Sequence, residues 1–316
     1  MGKNFKSLVI GFVLLSLMLF PFFGERFYIQ FASKILVMII FVSSLNLLVG
    51  FTGLVSLGHA AFFGFAGYVL AILMQVDSST HFVTALLISI SCVGLLGLVF
   101  GVLVLRTKGI FFIMSTLALG EMLFYFLHDT DFAGGSDGIY IYSRPNLSIF
   151  DFWHVDLANA IHFYYVALVF VCLTLIFIGR IIKSPFGRVI SGIRVNEHRT
   201  KALGYNTYKF KLVCFVIASM IAAVSGFLAA VQFGVVNPEM VGWHVSGHAL
   251  MMVILGGKGA ILGPVLGTTT LMITEEIFQM LTKHWQLLTG LVIVLVALFF
   301  PNGLAGIRIF KKGRST

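Results

Sequence analysis

Glu121 is the residue whose placement most demands a chemical reason. It lies inside the apolar run Ser115-Thr-Leu-Ala-Leu-Gly-Glu-Met-Leu123. A carboxylate at bilayer depth costs about 2.5–3.5 kcal/mol on insertion scales, so it must face the protein interior and have a partner or a task. Two readings stand side by side, a lining of a path or gate and a satisfied structural hydrogen bond. His244 and His248 are four residues apart and share a helix face, as a pair of metal ligands would. No Glu follows the first of them and no third ligand is near, so two histidines at a membrane edge is the plainer reading. His59, flanked by apolar residues, reads as a helix–helix hydrogen bond rather than a ligand. Glu275 and Glu276 fall toward an outer helix end, where a charge costs less.

Covalent and nucleotide chemistry find no footing. Gly257-Lys258 is followed by Gly259, so the phosphate-binding pattern GxxxxGK[ST] is absent, and the GxGxxG spacing is missed too. There is no Ser/His/Asp or Cys/His arrangement. Cys92, Cys172 and Cys214 lie in separate apolar runs with no CxxC spacing, which implies neither a disulfide framework nor a zinc site. No cofactor or metal is expected, and no ATP hydrolysis by this chain alone.

Those residues are embedded in a sequence far too apolar for a soluble enzyme. Of 316 residues, 59% are hydrophobic and 10% charged, with a mean hydropathy of +1.03; a soluble domain carries about 25% charged residues. Runs such as Ile35–Val49 and Leu287–Phe300 are continuously apolar, unlike the alternation of about 10 residues in a barrel strand. The class is therefore all-α, a polytopic transmembrane helical bundle. Ten spans are expected, at 7–23, 34–50, 53–75, 82–105, 110–128, 160–182, 211–234, 245–256, 261–281 and 285–304. The first, preceded by Lys3 and Lys6 and ending in Pro-Phe-Phe-Gly-Glu-Arg without a small-x-small cleavage site, reads as a retained helix rather than a signal peptide. The eighth is short for a crossing and reads as a half-helix broken at Gly256-Gly257-Lys258-Gly259.

Charge tests this segmentation. With the N-terminus inside, only Arg26, Lys34, Arg144 and Lys283 of the 21 Lys and Arg fall outside, while Glu197 alone of the 12 acidic residues falls inside. This is the asymmetry of the positive-inside rule, and an odd number of spans would scramble it. It places both termini in the cytoplasm and accounts for the net charge of +9 without nucleic acid. The whole chain, 1–316, reads as one transmembrane domain with two polar insertions. The external segment 129–158 carries Asp129, Asp131, Asp137, Asp151 and Asp156 against one Arg, and is either a solvated loop or a docking surface for an external partner. The internal segment Arg180–Lys211, with 183–210 as its core, carries eight basic residues. Within it Ile193–Leu203 reads as a short helix capped by Gly204, a form that suits docking of a cytoplasmic protein.

Glycine spacing separates packing from function. Gly94, Gly97 and Gly101 share a face, as do Gly263 and Gly267, and Ala218, Ala222, Gly226 and Ala230 form a ladder; such small residues bring membrane helices close. In Leu45–Gly67, by contrast, Asn46, Thr52, Ser56 and His59 alternate with Gly50, Gly53, Gly58, Gly64 and Gly67. Broken backbone at membrane depth is tolerated only within protein or beside a water-filled cavity, and often lines a path. The candidate path residues are Asn46, Gly50, Gly53, Ser56, His59, Glu121, Gly256 and Gly257. The second break, Gly256–Pro264, suggests a partner of the first in a diverged internal repeat.

Leu45–Gly67, Asn196-Glu-His-Arg-Thr-Lys-Ala-Leu-Gly-Tyr-Asn206, Asn237-Pro-Glu239, Val253–Gly267 and Phe300-Pro-Asn-Gly-Leu-Ala-Gly306 together resemble the LivM-type permease subunits of branched-chain amino acid ABC importers, over about 35–305. The resemblance implies the ABC importer permease fold in a bacterial inner membrane. It also implies four kinds of contact: a second, homologous permease, two cytoplasmic ATPase subunits, an external amino-acid-binding protein and membrane lipid. In such permeases a cytoplasmic loop of E-A-A…G pattern docks the ATPase. Glu197, Ala202 and Gly204 match it here, with Arg199 and Thr200 interrupting, and Arg194 and Lys201 complete the expected docking loop. Substrate would then move by alternating access, with selectivity residing largely in the binding protein. A permease for urea or a short amide looks similar, although His248–Gly256 and His284–Gly290 lean toward the amino-acid branch. A stand-alone secondary transporter or channel is the alternative of a different class.

Overall fold

A computed structural model describes residues 18–21, 24–77, 79–149, 153–300 and 303–306. Its helices are α1 (Arg26–Asn46), α2 (Ala60–Val76), α3 (Phe82–Val104), α4 (Ile110–His128), α5 (Ala160–Lys183), α6 (Pro185–Val195), α7 (Glu197–Ala202), α8 (Thr207–Phe233), α9 (Trp243–Gly256), α10 (Gly263–Leu281) and α11 (Trp285–Phe299). A π-helical segment, Leu47–Thr52, continues α1. The strands are two short ribbons: β1 (Ile139–Tyr140) pairs antiparallel with β4 (Val235–Val236), and β2 (Leu147–Ile149) with β3 (Trp153–Val155).

The helices follow from the apolar runs, because a backbone in lipid must satisfy its own hydrogen bonds. Among the described residues, five are long and apolar enough to cross: α1 with its π extension, α3, α4, α5 and α8. The ten expected spans are thus met unevenly. Span 7–23 lies outside the described residues apart from 18–21. The expected helix 53–75 begins only at Ala60, and the expected span 245–256 is the 14-residue α9. At 1.5 Å per residue α9 reaches about 21 Å, short of a hydrocarbon core of about 30 Å.

Burial sorts these helices into centre and rim. In its most apolar window α1 is 94% buried and α8 67%, against 33% for α3, 22% for α4 and 28% for α5. The rim helices expose aliphatic faces suited to lipid, such as Leu95, Leu98, Val99 and Leu103 on α3 and Val169, Leu173 and Ile176 on α5. The small-residue ladders sit where helices meet. Gly94 and Gly97 of α3 face Met220 and Ser219 of α8, and Gly226 of α8 lies on the Phe63 carbonyl of α2.

Polar connections gather at two opposite ends. At one, β1 pairs β4, His81 bridges Asn146, Arg144 Nε donates to the Val231 carbonyl (3.0 Å) and Gln232 reaches Gln30 (2.9 Å). This is the acidic end. At the other, Thr52, Gly53, Thr107, Lys108, Arg194, Glu197 and Lys211 line a common cleft of about 270 Å³, and Tyr208 donates to the Val102 carbonyl (3.2 Å). This is the basic end. The segment 129–158 is accordingly less free than a plain loop, since β1 ties it to the connection after α8.

Candidate translocation core and coupling segment

The two glycine-rich breaks meet. Asn46, at the last turn of α1, donates through Nδ2 to the Ala260 carbonyl and accepts through Oδ1 from the Gly259 N–H, both at 3.0 Å. Gly50 stands one turn further, where a Cβ would overlap both Asn46 Oδ1 and the Gly259 backbone. Only hydrogen fits there. Gly53 ends the π segment with φ +79°, and Gly257 ends α9 with φ +105°, conformations that cost a side-chain-bearing residue energy. Gly256 packs against the Gly263 carbonyl and Gly267, folding α9 back onto α10. The two breaks are thus in physical contact, pinned by one amide side chain.

From Gly53 to His59 the chain is not helical and runs inside the bundle. Leu57 N–H donates to the Thr116 hydroxyl of α4 (3.3 Å), and Gly58 lies so close to the Thr116 carbonyl that a Cβ would overlap it. The Ala60 N–H donates to Ser246 Oγ of α9 at 2.8 Å. His59 is fully buried, its Nε2 2.8 Å from Ser44 Oγ of α1, which is the helix–helix hydrogen bond expected of it. Its Nδ1 and the hydroxyl of buried Ser56 have no partner among the described residues. Glu121 Oε1 accepts from the Trp243 N–H at the start of α9 (3.2 Å). A carboxylate at a helix N-terminus is favoured by the helix dipole, so the hydrogen-bond reading of Glu121 has a concrete partner. Its helix is nonetheless mostly open, with Met114 and Met122 exposed beside it.

The basic segment folds as two helices separated by Asn196. Ser184 caps α6, its hydroxyl accepting from the Gly187 N–H at 3.2 Å, with Pro185 at the first helical position. Asn196 caps α7, accepting from the Arg199 N–H (2.9 Å), and Gly204 with φ +88° follows it. Glu197 does not project outward. Its carboxylate pairs with Lys211 Nζ at 2.7 Å and accepts from the Thr207 hydroxyl at 3.1 Å. Burial opposes its ionisation, but the Lys211 hydrogen bond and charge, with Thr207 and Lys108, outweigh that and hold it below the usual carboxylate range. Arg199, Lys201, Ala202 and Gly204 are exposed, and so are Val195 (85%) and Leu203 (72%). These two apolar side chains escaped the charge-based reading, although their place beside the helix ends was visible. Arg194 is exposed as well, and its Nη1 donates to the Gly50 carbonyl.

His248 pairs with Glu275 of α10, Nε2 to Oε1 at 2.7 Å, while His244 stacks against Trp243. No group of three metal-binding side chains occurs among the described residues. Cys214 is buried beside the Thr52 hydroxyl at 3.1 Å. Ser44, Ser246 and Lys211 join the site without having been singled out in sequence, since each is defined by a partner far along the chain.

A family model described as "Branched-chain amino acid transport system / permease component" matches residues 27–297. The high-affinity branched-chain amino acid transport system permease protein LivM of Escherichia coli K12 is 29% identical over 303 residues, covering 90% of this chain and 71% of that one. BraD of Pseudomonas aeruginosa, a permease protein of the same description, is 31% identical over 146 residues, covering 44% of this chain and 47% of its own. The high-affinity branched-chain amino acid transport system permease protein LivH of E. coli K12 is 30% identical over 125 residues, covering 39% of this chain and 40% of its own. No solved structure matches. A multi-pass helical bundle with glycine-broken segments, matched over nearly its whole length, therefore belongs to the permease-component family of branched-chain amino acid transport systems.

Proposed function

We propose that this chain is the transmembrane permease of an ABC importer for branched-chain, aliphatic amino acids. It works beside a second homologous permease, two cytoplasmic ATPases and an external binding protein, in a bacterial inner membrane. The basic end faces the cytoplasm, and ten spans including 7–23 place both termini there. The observation that carries this reading is the α6–α7 pair. It offers an exposed, cationic and partly apolar surface outside the bundle, while its inner side touches the π segment of α1. That is the form of an input for motion supplied by another protein. Likeness to both LivM and LivH, two permease proteins named for one kind of system, supports a pair of related permeases.

The path runs beside Gly53–His59 and Glu121. An open α4 face carrying a carboxylate is a poor lipid surface, and it suits a polar passage closed on its other side by the second permease. Exposed Asp129, Asp131 and Asp156, with Tyr142, at the opposite end serve the binding protein.

Reconstitution of the complete complex in liposomes tests the proposal. ATP inside and binding protein outside should give leucine uptake that excess isoleucine or valine suppresses and urea does not. Flux through the purified chain alone, driven by an ion gradient, would overturn it. Suppression by urea with no effect of valine would move the substrate to short amides.

A further inference from the structure

Arg194 is exposed, yet its guanidinium reaches back to the π segment of α1. Its Nη1 donates to the Gly50 carbonyl. The same nitrogen lies 2.8 Å from the position a Cβ on Gly259 would take, and Arg194 Cγ lies 3.4 Å from that on Gly53. One guanidinium therefore touches both glycine breaks, which Asn46 pins together from the other side.

The chemistry explains why an arginine serves here. The carbonyls of a helix's last turn lack intrahelical partners, and Gly50 lies in the last turn of the π segment. A cation at a helix C-terminus is favoured by the dipole, and a guanidinium is always charged and offers several donors in a fixed plane. The surroundings pull the other way. The cleft holds Lys108 and Lys211 beside Arg194 and a single carboxylate, Glu197, which already pairs with Lys211. Arg194 is thus held by one backbone acceptor, the Gly50 carbonyl, but repelled by neighbours of like charge. Such a contact holds one state and is readily withdrawn.

Resting on the reading of α6–α7 as the ATPase-facing segment, we propose that Arg194 is a latch. It closes the two glycine breaks at the cytoplasmic end and transmits displacement of α6–α7 to them. When α6 moves, the guanidinium leaves the Gly50 carbonyl, and α1 and the α9–α10 corner are free to part. Arg194 is a positioning residue of the transport cycle, distinct in role from Val195, Arg199, Lys201 and Leu203, which meet the ATPase.

The test compares Arg194→Ala and Arg194→Lys in the complete complex, reading leucine uptake and ATP hydrolysis together. Both variants should assemble with the ATPases. Arg194→Ala should lower uptake per ATP hydrolysed by about tenfold, the scale of a coupling free energy between two sites. Arg194→Lys should recover part of that ratio, because an ammonium can cap one carbonyl but not span both breaks. A spin-label pair at Val195 and Lys258, both exposed in the structure, should lengthen its distance when ATP is trapped in the wild-type complex, and start long and change little in Arg194→Ala. An unchanged uptake-to-hydrolysis ratio in Arg194→Ala overturns the latch, and so does an unchanging wild-type distance in a complex that transports. Failure of Arg194→Lys to bind the ATPases returns Arg194 to docking, which also overturns it. Absence of ATP-driven uptake in the wild-type complex is a different failure, that of the importer reading itself.

Discussion

At the scale of single residues, what sequence conveys well is the cost of a side chain where it stands, and what it conveys poorly is the partner. Glu121 had to be satisfied, and it is, by a backbone N–H more than a hundred residues away. Asn46 was notable for standing among glycines, but its two hydrogen bonds to Gly259 and Ala260 come from a segment no local pattern connects to it. Glu197 shows the same limit from the other direction. Its match to a docking pattern suggested an outward role, whereas Lys211 and Thr207 hold it inward, and the exposed partners of α7 are its neighbours. A pH dependence follows. Because the folded state lowers the Glu197 carboxyl below its ordinary value of 4.5, its contribution is fully present above that value. It is lost as pH falls through the lowered one. In the detergent-solubilised protein, protection of the 197–211 amides, taken relative to their intrinsic exchange rates, should therefore fall between pH 5 and 3, values set around that ordinary 4.5. In Glu197→Gln that protection should already be low at pH 7, about the ordinary assay value, and change far less. Equal profiles for the two proteins would show that the pair does not hold the corner.

At the scale of elements, hydropathy found the helices and glycine found the breaks, yet helix starts were misjudged where tertiary contacts set them. Nothing in the period of Gly53–Val76 says that helix begins at Ala60. The reason is spatial: Leu57 and Gly58 press against Thr116 of α4, and Ala60 bonds Ser246 of α9, so backbone groups a helix would have used are spent on neighbours. The connection at 234–242, which hydropathy leaves simply between two spans, has structure of its own. It is an extended and 3₁₀ segment packed on α2, with Val241 against Gly64 and β4 paired to β1. Close backbone approach at Gly58 to the Thr116 carbonyl makes a testable demand on the break. Gly58→Val should push α4 from the break, with a cost of about 1–3 kcal/mol typical of overpacking, and abolish leucine uptake by the complex. Gly179→Val on α5, where a Cβ meets nothing within 4 Å, should leave both melting temperature and uptake near wild type. Similar behaviour of the two variants would mean that Gly58 is ordinary bundle packing.

At the scale of the whole molecule, charge was the most informative signal, since it reports on sidedness without knowledge of any contact. The structure groups the connections rich in Lys and Arg at one end and the Asp-rich ones at the other, although several of its helices are too short to be recognised as crossings by length. Short helices can still join the two ends because broken segments supply the remaining depth, and those segments sit within protein rather than in lipid. Orientation relative to the membrane then becomes a measurable property of two surface residues. Tyr142, 96% exposed at the acidic end, and Leu203, 72% exposed at the basic end, are free of the packed core. In sealed right-side-out vesicles, a membrane-impermeant maleimide should label Tyr142→Cys at once and Leu203→Cys only after permeabilisation. The parent chain supplies the background, as Cys92, Cys172 and Cys214 all lie within helices. Opposite labelling would invert the protein in the membrane and remove α6–α7 from reach of any cytoplasmic ATPase. Labelling of both from outside would place an even number of crossings between them, where the single long apolar helix between the two, α5, requires them to lie on different sides.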